Sequence, residues 1–361
     1  MKTVAIISEY NPFHFGHLHQ INEIKKIFKG EPLTIISIMS GNFIQRGEPS
    51  ILNKFKRCKA IIKNGINLCL EIPIHISLSS AEGFSFGAIK ILDSLNVVDY
   101  VCFGCESPDK TKLNLITDFL ISSNKNTLKK YLDLGFSFPK ARELMIEEQF
   151  HDNNLTSFIK SPNNILAIEY LKAIKILNSN NDISILKNHV PNSTYKILEQ
   201  GFQNKELVHK EQMFPYIKYK LLTCGNLEKI EDIGEGLENK FYSSITQSNS
   251  LDELILNVKS KRYTFSRLNR ILTKYFIGFE NFSVDEIQSF NNYVKILGFD
   301  KIGMETLNKI KKTCPLNLIS KFNKKNSSLA PLDILGMKAY SLLNKNLSPL
   351  EDFKNPPIVI L

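Results

Sequence analysis

The chain has 361 residues, with 46 lysines and arginines against 36 aspartates and glutamates, a net charge of +10; 43% of residues are hydrophobic and 23% charged. These proportions exclude wholesale disorder and fibrous repeats, and a chain this long is expected to bury a large core and divide into two domains. No apolar window approaches the roughly 18 residues of a membrane span, and the apolar run in MKTVAIISEYNPF is too short for a signal-peptide core, so no membrane partner and a cytoplasmic location are expected.

The first third alternates strands and helices. Val4 to Ser8 is a buried strand. Leu18, Ile21, Ile24 and Phe28 recur at helical spacing, and Gly30 closes that helix. Leu33 to Ser40 is the second strand, and Ile51 to Ile62 a helix ending at Asn64-Gly65. Leu68 to Ile72, stopped by Pro73, is the third strand; Ala81 to Leu92 is a helix; Tyr100 to Phe103 is the fourth strand. This alternation predicts an α/β fold with a parallel sheet, whose ligands bind beyond the C-terminal strand ends. The loops after Ser8, Ser40, Ile72 and Phe103 should therefore hold the site. Beyond Lys110 the pattern turns helical, over Leu113 to Leu134, Pro139 to Phe150 and Ile165 to Leu177; from Tyr216 to about Tyr340 short amphipathic helices dominate. A division into residues 1–195 and a mostly helical 196–361 follows. The cysteines Cys58, Cys69, Cys102, Cys105, Cys224 and Cys314 show neither disulfide nor zinc spacing and read as buried structural thiols.

The loop after the first strand carries the strongest chemistry. It places His14 and His17 on either side of Gly16 at a helix start, where backbone N–H groups bind anions and glycine allows close approach. The two imidazoles are candidates to hold phosphate oxygens and the charge developing on a leaving pyrophosphate. Capping and packing alone would also put histidines here, but leave Asn11-Pro12-Phe13 unexplained. The only nearby carboxylate, Glu9, argues against a protein-bound metal. Gln45 and Arg46 follow the second strand, facing the same crevice; Arg46 is either a phosphate or carboxylate ligand or a surface residue of a turn.

Between Leu256 and Phe279 stand Lys259, Lys261, Arg262, Arg267, Arg270 and Lys274 and no acidic residue. Arg267, Arg270 and Lys274 share one helix face, with Tyr263 and Phe265 interleaved, a pattern suited to RNA phosphates and unpaired bases and equally to a solvated helix face. Lys309, Lys311 and Lys312 form a second cluster.

Glu9-Tyr10-Asn11-Pro12-Phe13-His14-x-Gly16-His17 carries the HxGH spacing of the nucleotidyltransferase superfamily and resembles the bacterial tRNA(Met) cytidine acetate ligase family. Further motifs of that family follow in order: Met39-Ser40-Gly41-Asn42-Phe43-x-Gln45-Arg46-Gly47-Glu48-Pro49, Phe103-Gly104-Cys105-Glu106-Ser107, Pro162-Asn163-Asn164-Ile165-Leu166, Gly236-Leu237-Glu238-Asn239, Lys259-Ser260-Lys261-Arg262-Tyr263-Thr264 and Leu297-Gly298-Phe299. The resemblance implies a Rossmann-like nucleotidyltransferase domain followed by a helical tRNA-binding domain. It implies that acetate is ligated to N4 of the wobble cytidine of elongator tRNA(Met), through acetyl-adenylate, with ATP as substrate and Mg²⁺ accompanying it. By the same resemblance Ile7, Ser8, Glu9, Tyr10, Asn11, Pro12, Phe13, His14, Phe15, Gly16, His17, Leu18, His19 and Gln20 bind ATP, with Gly104 and Asn163 also at the nucleotide. Asn163 reads equally as an ordinary helix start. Lys261, Arg262, Tyr263, Arg267, Arg270 and Lys274 become the candidates for tRNA. Oligomeric state is not legible.

One departure stands out. After the Pro-Asn-Asn helix the family carries a Ser-Ala-Thr-x-Ile-Arg element, whose hydroxyls and Arg hold the ATP phosphates. Here Ile183-Ser184-Ile185-Leu186-Lys187-Asn188-His189 runs into Val190-Pro191, and no Ser-x-Thr-x-x-Arg appears before Gly236. The chain reads as internally shortened. Either Lys187, His189 or basic groups elsewhere substitute, or the chain is a tRNA- or nucleotide-binding paralogue without catalysis. A small-molecule adenylyltransferase is the third reading.

Overall fold

The computed structural model describes residues 1–123, 125–179, 182–187, 207–290 and 292–360, with the backbone alone for 125 and 182–187. Ten strands are described: β1 (Lys2–Ile7), β2 (Leu33–Ser40), β3 (Phe43–Ile44), β4 (Glu48–Pro49), β5 (Leu68–Ile72), β6 (Tyr100–Cys105), β7 (Asp182–Lys187), β8 (Tyr293–Phe299), β9 (Asn317–Ile319) and β10 (Ile358–Val359). Eight of them form one sheet in the order β10-β8-β5-β2-β1-β6-β7, with β9 also on β8; β3 and β4 make a separate hairpin. β1, β2, β5, β6 and β7 run parallel, and the apolar runs of β1, β2, β5 and β6 are buried on both faces, as a helix-covered parallel sheet requires.

Helices cover both faces. Phe15–Ile27 and Lys54–Lys63 pack on one side through Ile21, Ile24, Cys58, Ile61 and Ile62. Ala81–Ser94 and Pro162–Leu177 cover the other through Ala88, Leu92, Ala167 and Leu171. The second helix begins at Lys54, later than its periodicity suggests, because the Asn53 side chain caps it by accepting from Lys56 N–H. The periodic stretch 113–134 is two helices, Lys110–Ser122 and Lys125–Asp133.

Residues 216–340 are not all helical. Tyr293–Phe299 is a strand, antiparallel to β5, and β9 and β10 pair with it. YVKILGF is an apolar run of strand length buried on both faces, and periodicity alone cannot tell such a run from a buried helix. The end of the chain thus completes the sheet begun by its first residues. The intervening helices, Phe214–Thr223, Leu237–Ser244, Leu251–Val258 and Phe265–Ile277, share a second core with Pro331–Leu343, which reaches the sheet's loops through Phe43 and Ile74.

A fully buried ionic cluster joins these parts. Lys54 Nζ lies 2.8 Å from both Glu71 Oε1 and Asp352 Oδ2, and Lys295 on β8 pairs with Asp352. Two ammoniums and two carboxylates offset one another's charge where desolvation would otherwise be prohibitive, although Glu71 Oε2 has no hydrogen-bond partner among the described residues. Asp333 lies beside them, takes the Tyr293 hydroxyl proton in a hydrogen bond, and is pushed up by burial and by Glu71.

Of the six cysteines, Cys58, Cys69, Cys102 and Cys105 are buried free thiols; contrary to expectation Cys224 is exposed and Cys314 half-buried. Both are C-cap residues, Cys224 after Phe214–Thr223 and Cys314 after Lys301–Thr313, where an apolar residue type does not ensure burial.

Candidate active site

The helix Phe15–Ile27 opens with a reciprocal cap made by the two histidines. His14 Nδ1 accepts from Gly16 N–H at 3.1 Å, and His17 Nδ1 accepts from His14 N–H at 3.2 Å. An Nδ1 that accepts a backbone proton is unprotonated, so each neutral ring carries its hydrogen on Nε2. The rings stack with centroids 3.8 Å apart, and Tyr10 and Phe13 pack on His17 at 4.8 and 5.7 Å. Tyr10 adopts φ 47°, in the left-handed region, and the following Asn11–Pro12 bond is cis. Burial and the neighbouring His14 hold His17 down to about 3; burial also lowers His14. At neutral pH the pair is therefore two uncharged donors at a helix N-terminus, where the axial dipole already favours an anion. Capping and ligand binding are compatible here, because the cap uses only Nδ1.

The adjoining loops are latched to this one. The Glu9 carboxylate accepts from Gln45 N–H at 2.6 Å and from Ser40 Oγ at 3.4 Å, and burial pushes it up against the pull of those donors, Arg57 and Arg46. Asn11 Oδ1 accepts from Ile51 N–H at 2.7 Å. Gln45 donates through Nε2 to Ser79 O, and Gln20 through Nε2 to Cys102 O. The loops after β1, β2 and β5 thus meet at the C-terminal edge, and Gln20 ties the helix that follows to the middle of β6. Arg46 is exposed at this edge.

Arg57 is the residue that sequence reading missed. It is 1% exposed, and its guanidinium donates only to backbone carbonyls: Leu52 O at 3.0 Å, Glu9 O at 2.5 Å, Ser40 O at 3.2 Å and Gly41 O. The available signal was a charge on the apolar stripe of its own helix, since Lys54, Arg57, Cys58 and Ile61 share one face.

At the end of β6 the two asparagines of the Pro-Asn-Asn helix start differ in what they touch. Asn163 is half-buried, and its backbone N–H donates to Glu106 Oε1 at 3.3 Å. Asn164 is the buried one: its Oδ1 accepts from Cys105 Sγ, Glu106 N–H and Ser107 N–H, while its Nδ2 donates to Phe158 O. Glu106 and Asn164 therefore fix the loop that follows Gly104, beside an open cavity of about 870 Å³ lined also by Ser107, Lys110 and Ser161. The backbone of Lys187 pairs with Cys105 at the same edge. His189 lies outside the described residues.

The expected open cationic face differs. Arg270 and Lys274 are buried, Lys274 Nζ pairs with Asp232 at 2.7 Å, and Arg267 donates to Asp232 O at 2.9 Å while stacking on Tyr263. Tyr263 is buried and donates to Gly234 O; Arg262 pairs with Glu235 at 2.6 Å. Spacing shows that three cations share a face, not that the 232–235 segment lies against it. Nε of Arg267 and of Arg270 has no partner among the described residues. Lys261 stays exposed, its ammonium 4.1 Å from the Phe136 ring centre, and Lys309, Lys311 and Lys312 are exposed on their helix.

Comparison with known proteins bears on this site. A family model described as HIGH Nucleotidyl Transferase matches residues 1–186 and 175–353. Similar curated proteins are the tRNA(Met) cytidine acetate ligases of Clostridium novyi (39% identical over 401 aligned positions, all of both chains) and Clostridium acetobutylicum (37% over 406, all of both chains). The fold is similar to Thermotoga maritima TmcAL bound with alpha-thio ATP, with TM-score 0.89, 26% identity and full coverage of both chains, and to its apo form at 0.88 and 26%, again over both whole chains. An alignment of 401 positions against 361 residues leaves at least 40 positions with no counterpart here, and the family model matches in two segments that overlap at 175–186, around β7.

Proposed function

The chain belongs to the tRNA(Met) cytidine acetate ligase family, and we propose that it joins acetate to a cytidine of tRNA(Met) at the expense of ATP. In this reading the carboxylate of acetate attacks the α-phosphorus of ATP, and the bond to pyrophosphate breaks. N4 of the wobble cytidine of elongator tRNA(Met) then attacks the acetyl carbonyl, loses a proton and releases AMP. Activation is needed because an aromatic amine is a weak nucleophile and a carboxylate a poor electrophile.

The observation that carries the reading is the histidine cap. Both rings spend Nδ1 on the backbone; His17 Nε2–H is the donor offered to a phosphate oxygen, with His14 stacked beside it at the helix N-terminus, so the pair stabilises negative charge as pyrophosphate departs. Glu9 and Arg57 hold the surrounding loops, and we place the acetate near Gln45. Mg²⁺ would arrive with the ATP phosphates: among the described residues no three His, Cys, Asp or Glu gather as an ion site. Exposed Lys261, half-buried Arg262 and the helices of 208–289 supply the tRNA-facing side, while Arg270 and Lys274 stay buried behind it. Among the described residues no helix is long and apolar enough to cross a membrane, and we place the reaction in the cytoplasm, with tRNA.

A second reading has its own observation. The alignment with the Clostridium novyi ligase holds at least 40 positions that this chain lacks, and no Ser-x-Thr-x-x-Arg stands between β7 and Gly236, where the family's phosphate-holding element is expected, so a member that binds tRNA without adenylating acetate is the alternative. Labelled acetate, ATP and unmodified elongator tRNA(Met) separate the two. Label entering the tRNA, and lost with His14→Ala, supports the ligase. Tight tRNA binding with neither label nor acetate-dependent ATP–pyrophosphate exchange would establish the second reading.

A further inference from the structure

A groove of about 420 Å³ lies between the β3–β4 hairpin and the helix Phe265–Ile277, lined by Arg46, Glu48, Lys210, Leu256, Phe265 and Asn269 among others. Three features set it apart from an ordinary seam. Phe265 and Leu256 are 51% and 62% exposed, with Lys259 Nζ 5.4 Å from the Phe265 ring centre. Arg46 stands exposed at its edge. Asn269 is only 8% exposed; its Nδ2 donates to Glu48 Oε1 at 3.4 Å, yet its buried Oδ1 has no partner among the described residues. An orphaned buried acceptor costs stability unless something satisfies it.

The groove is rigidly tied to the catalytic loops. Thr273 Oγ1 donates to Gly47 O at 2.7 Å, and Gly47, at φ +78°, lies so close that a Cβ there would be 2.2 Å from Arg270 N. Two residues away Gln45 is held by Glu9, at the start of the histidine loop.

We infer that this groove receives an unpaired nucleotide of the tRNA, one that flanks the reacting cytidine. The inference rests on the tRNA reading proposed above. Its parts match the chemistry of such a nucleotide: Arg46 for the phosphate, the Phe265 face for stacking, and Asn269 Oδ1 for an exocyclic amino group. Adenine, cytosine and guanine carry such a group; uracil does not. The bound base is a neighbour of the one acetylated, because the groove's lining contains neither His14 nor His17. The two acids at the rim, Glu48 and Asp252, are engaged by Asn269 and by Lys210, the latter at 2.5 Å.

The test measures binding of elongator tRNA(Met) transcripts to the whole protein. Phe265→Ala, at a half-exposed position that leaves the core intact, is expected to weaken binding about tenfold or more. Ile27→Ala is the control: Ile27 is 53% exposed but at the far end of its helix from the histidine loop. In transcripts with uridine replacing each amino-bearing anticodon-loop base in turn, one position should weaken the parent protein several-fold and leave Asn269→Ala indifferent. Binding by Phe265→Ala within twofold of a parent that binds and acetylates tRNA overturns the groove alone. A parent that binds tRNA(Met) no better than unrelated RNA overturns the groove and the proposed function together.

Discussion

Replacing Arg57 with Met removes a buried guanidinium that holds four carbonyls, at Glu9, Ser40, Gly41 and Leu52, across two loops of the site. Hydrogen bonds to a charged group contribute about 1.5–3 kcal/mol each, and each carbonyl left dry costs about 1–3 kcal/mol. These losses are not additive, because the loops relax and water enters; removing a partner from a buried charged network typically costs about 3–5 kcal/mol. That is a large fraction of the roughly 5–15 kcal/mol that holds a domain folded. Arg57→Lys keeps the charge but loses the planar fork, so one or two carbonyls regain a donor and part of the loss returns. Denaturant midpoints of the three proteins should rank Arg57 above Lys above Met. Acetate-dependent ATP–pyrophosphate exchange in Arg57→Lys should fall through kcat, since the latch sets loop geometry and does not touch acetate. An Arg57→Met protein within about 1 kcal/mol of the parent, with unchanged exchange kinetics, would refute the clamp.

His17→Gln preserves the cap, because a Gln at the third helical position also reaches back to the preceding N–H, but it removes the imidazole Nε2 donor. Folding stability near pH 7.5 should change by less than about 1 kcal/mol, while kcat for exchange drops about 10²–10³-fold, as for loss of one preorganised donor. The same pair of proteins tests the titration of His17, whose folded value near 3 lies below the ordinary 6.5. Between those values the unfolded chain binds the proton and the folded chain does not. Stability contributed by His17 is therefore complete above about pH 6.5 and is lost as pH falls toward 3, at up to about 1.4 kcal/mol per pH unit. The stability difference between parent and His17→Gln, measured by denaturation at pH 7.5 and 4.5, should shift by that sign. Asp352→Ala strands Lys295 and leaves Lys54 with Glu71 alone, and should destabilise by about 3–5 kcal/mol, whereas Lys295→Met combined with Asp352→Leu should recover much of it in the same assay, since the Lys54–Glu71 pair remains.

The sequence by itself determined the chemistry-bearing parts: His-x-Gly-His at a helix start, the strands that present it, and the ordered motifs that identify the family. Those are legible because strand runs, caps and close-approach glycines are local, and each is constrained by its own neighbours in the chain. Only the tertiary structure decided three other matters. It turned Arg270 and Lys274 inward onto the 232–235 segment, since periodicity groups residues on a face without saying what that face meets. It brought Tyr293–Phe299 back to pair with Leu68–Ile72, an antiparallel contact more than 220 residues apart in the chain. And it made Arg57 the holder of two loops, because a lone buried guanidinium is satisfied by whichever carbonyls the fold delivers, and none of those beyond its own helix is visible from the helix that carries it.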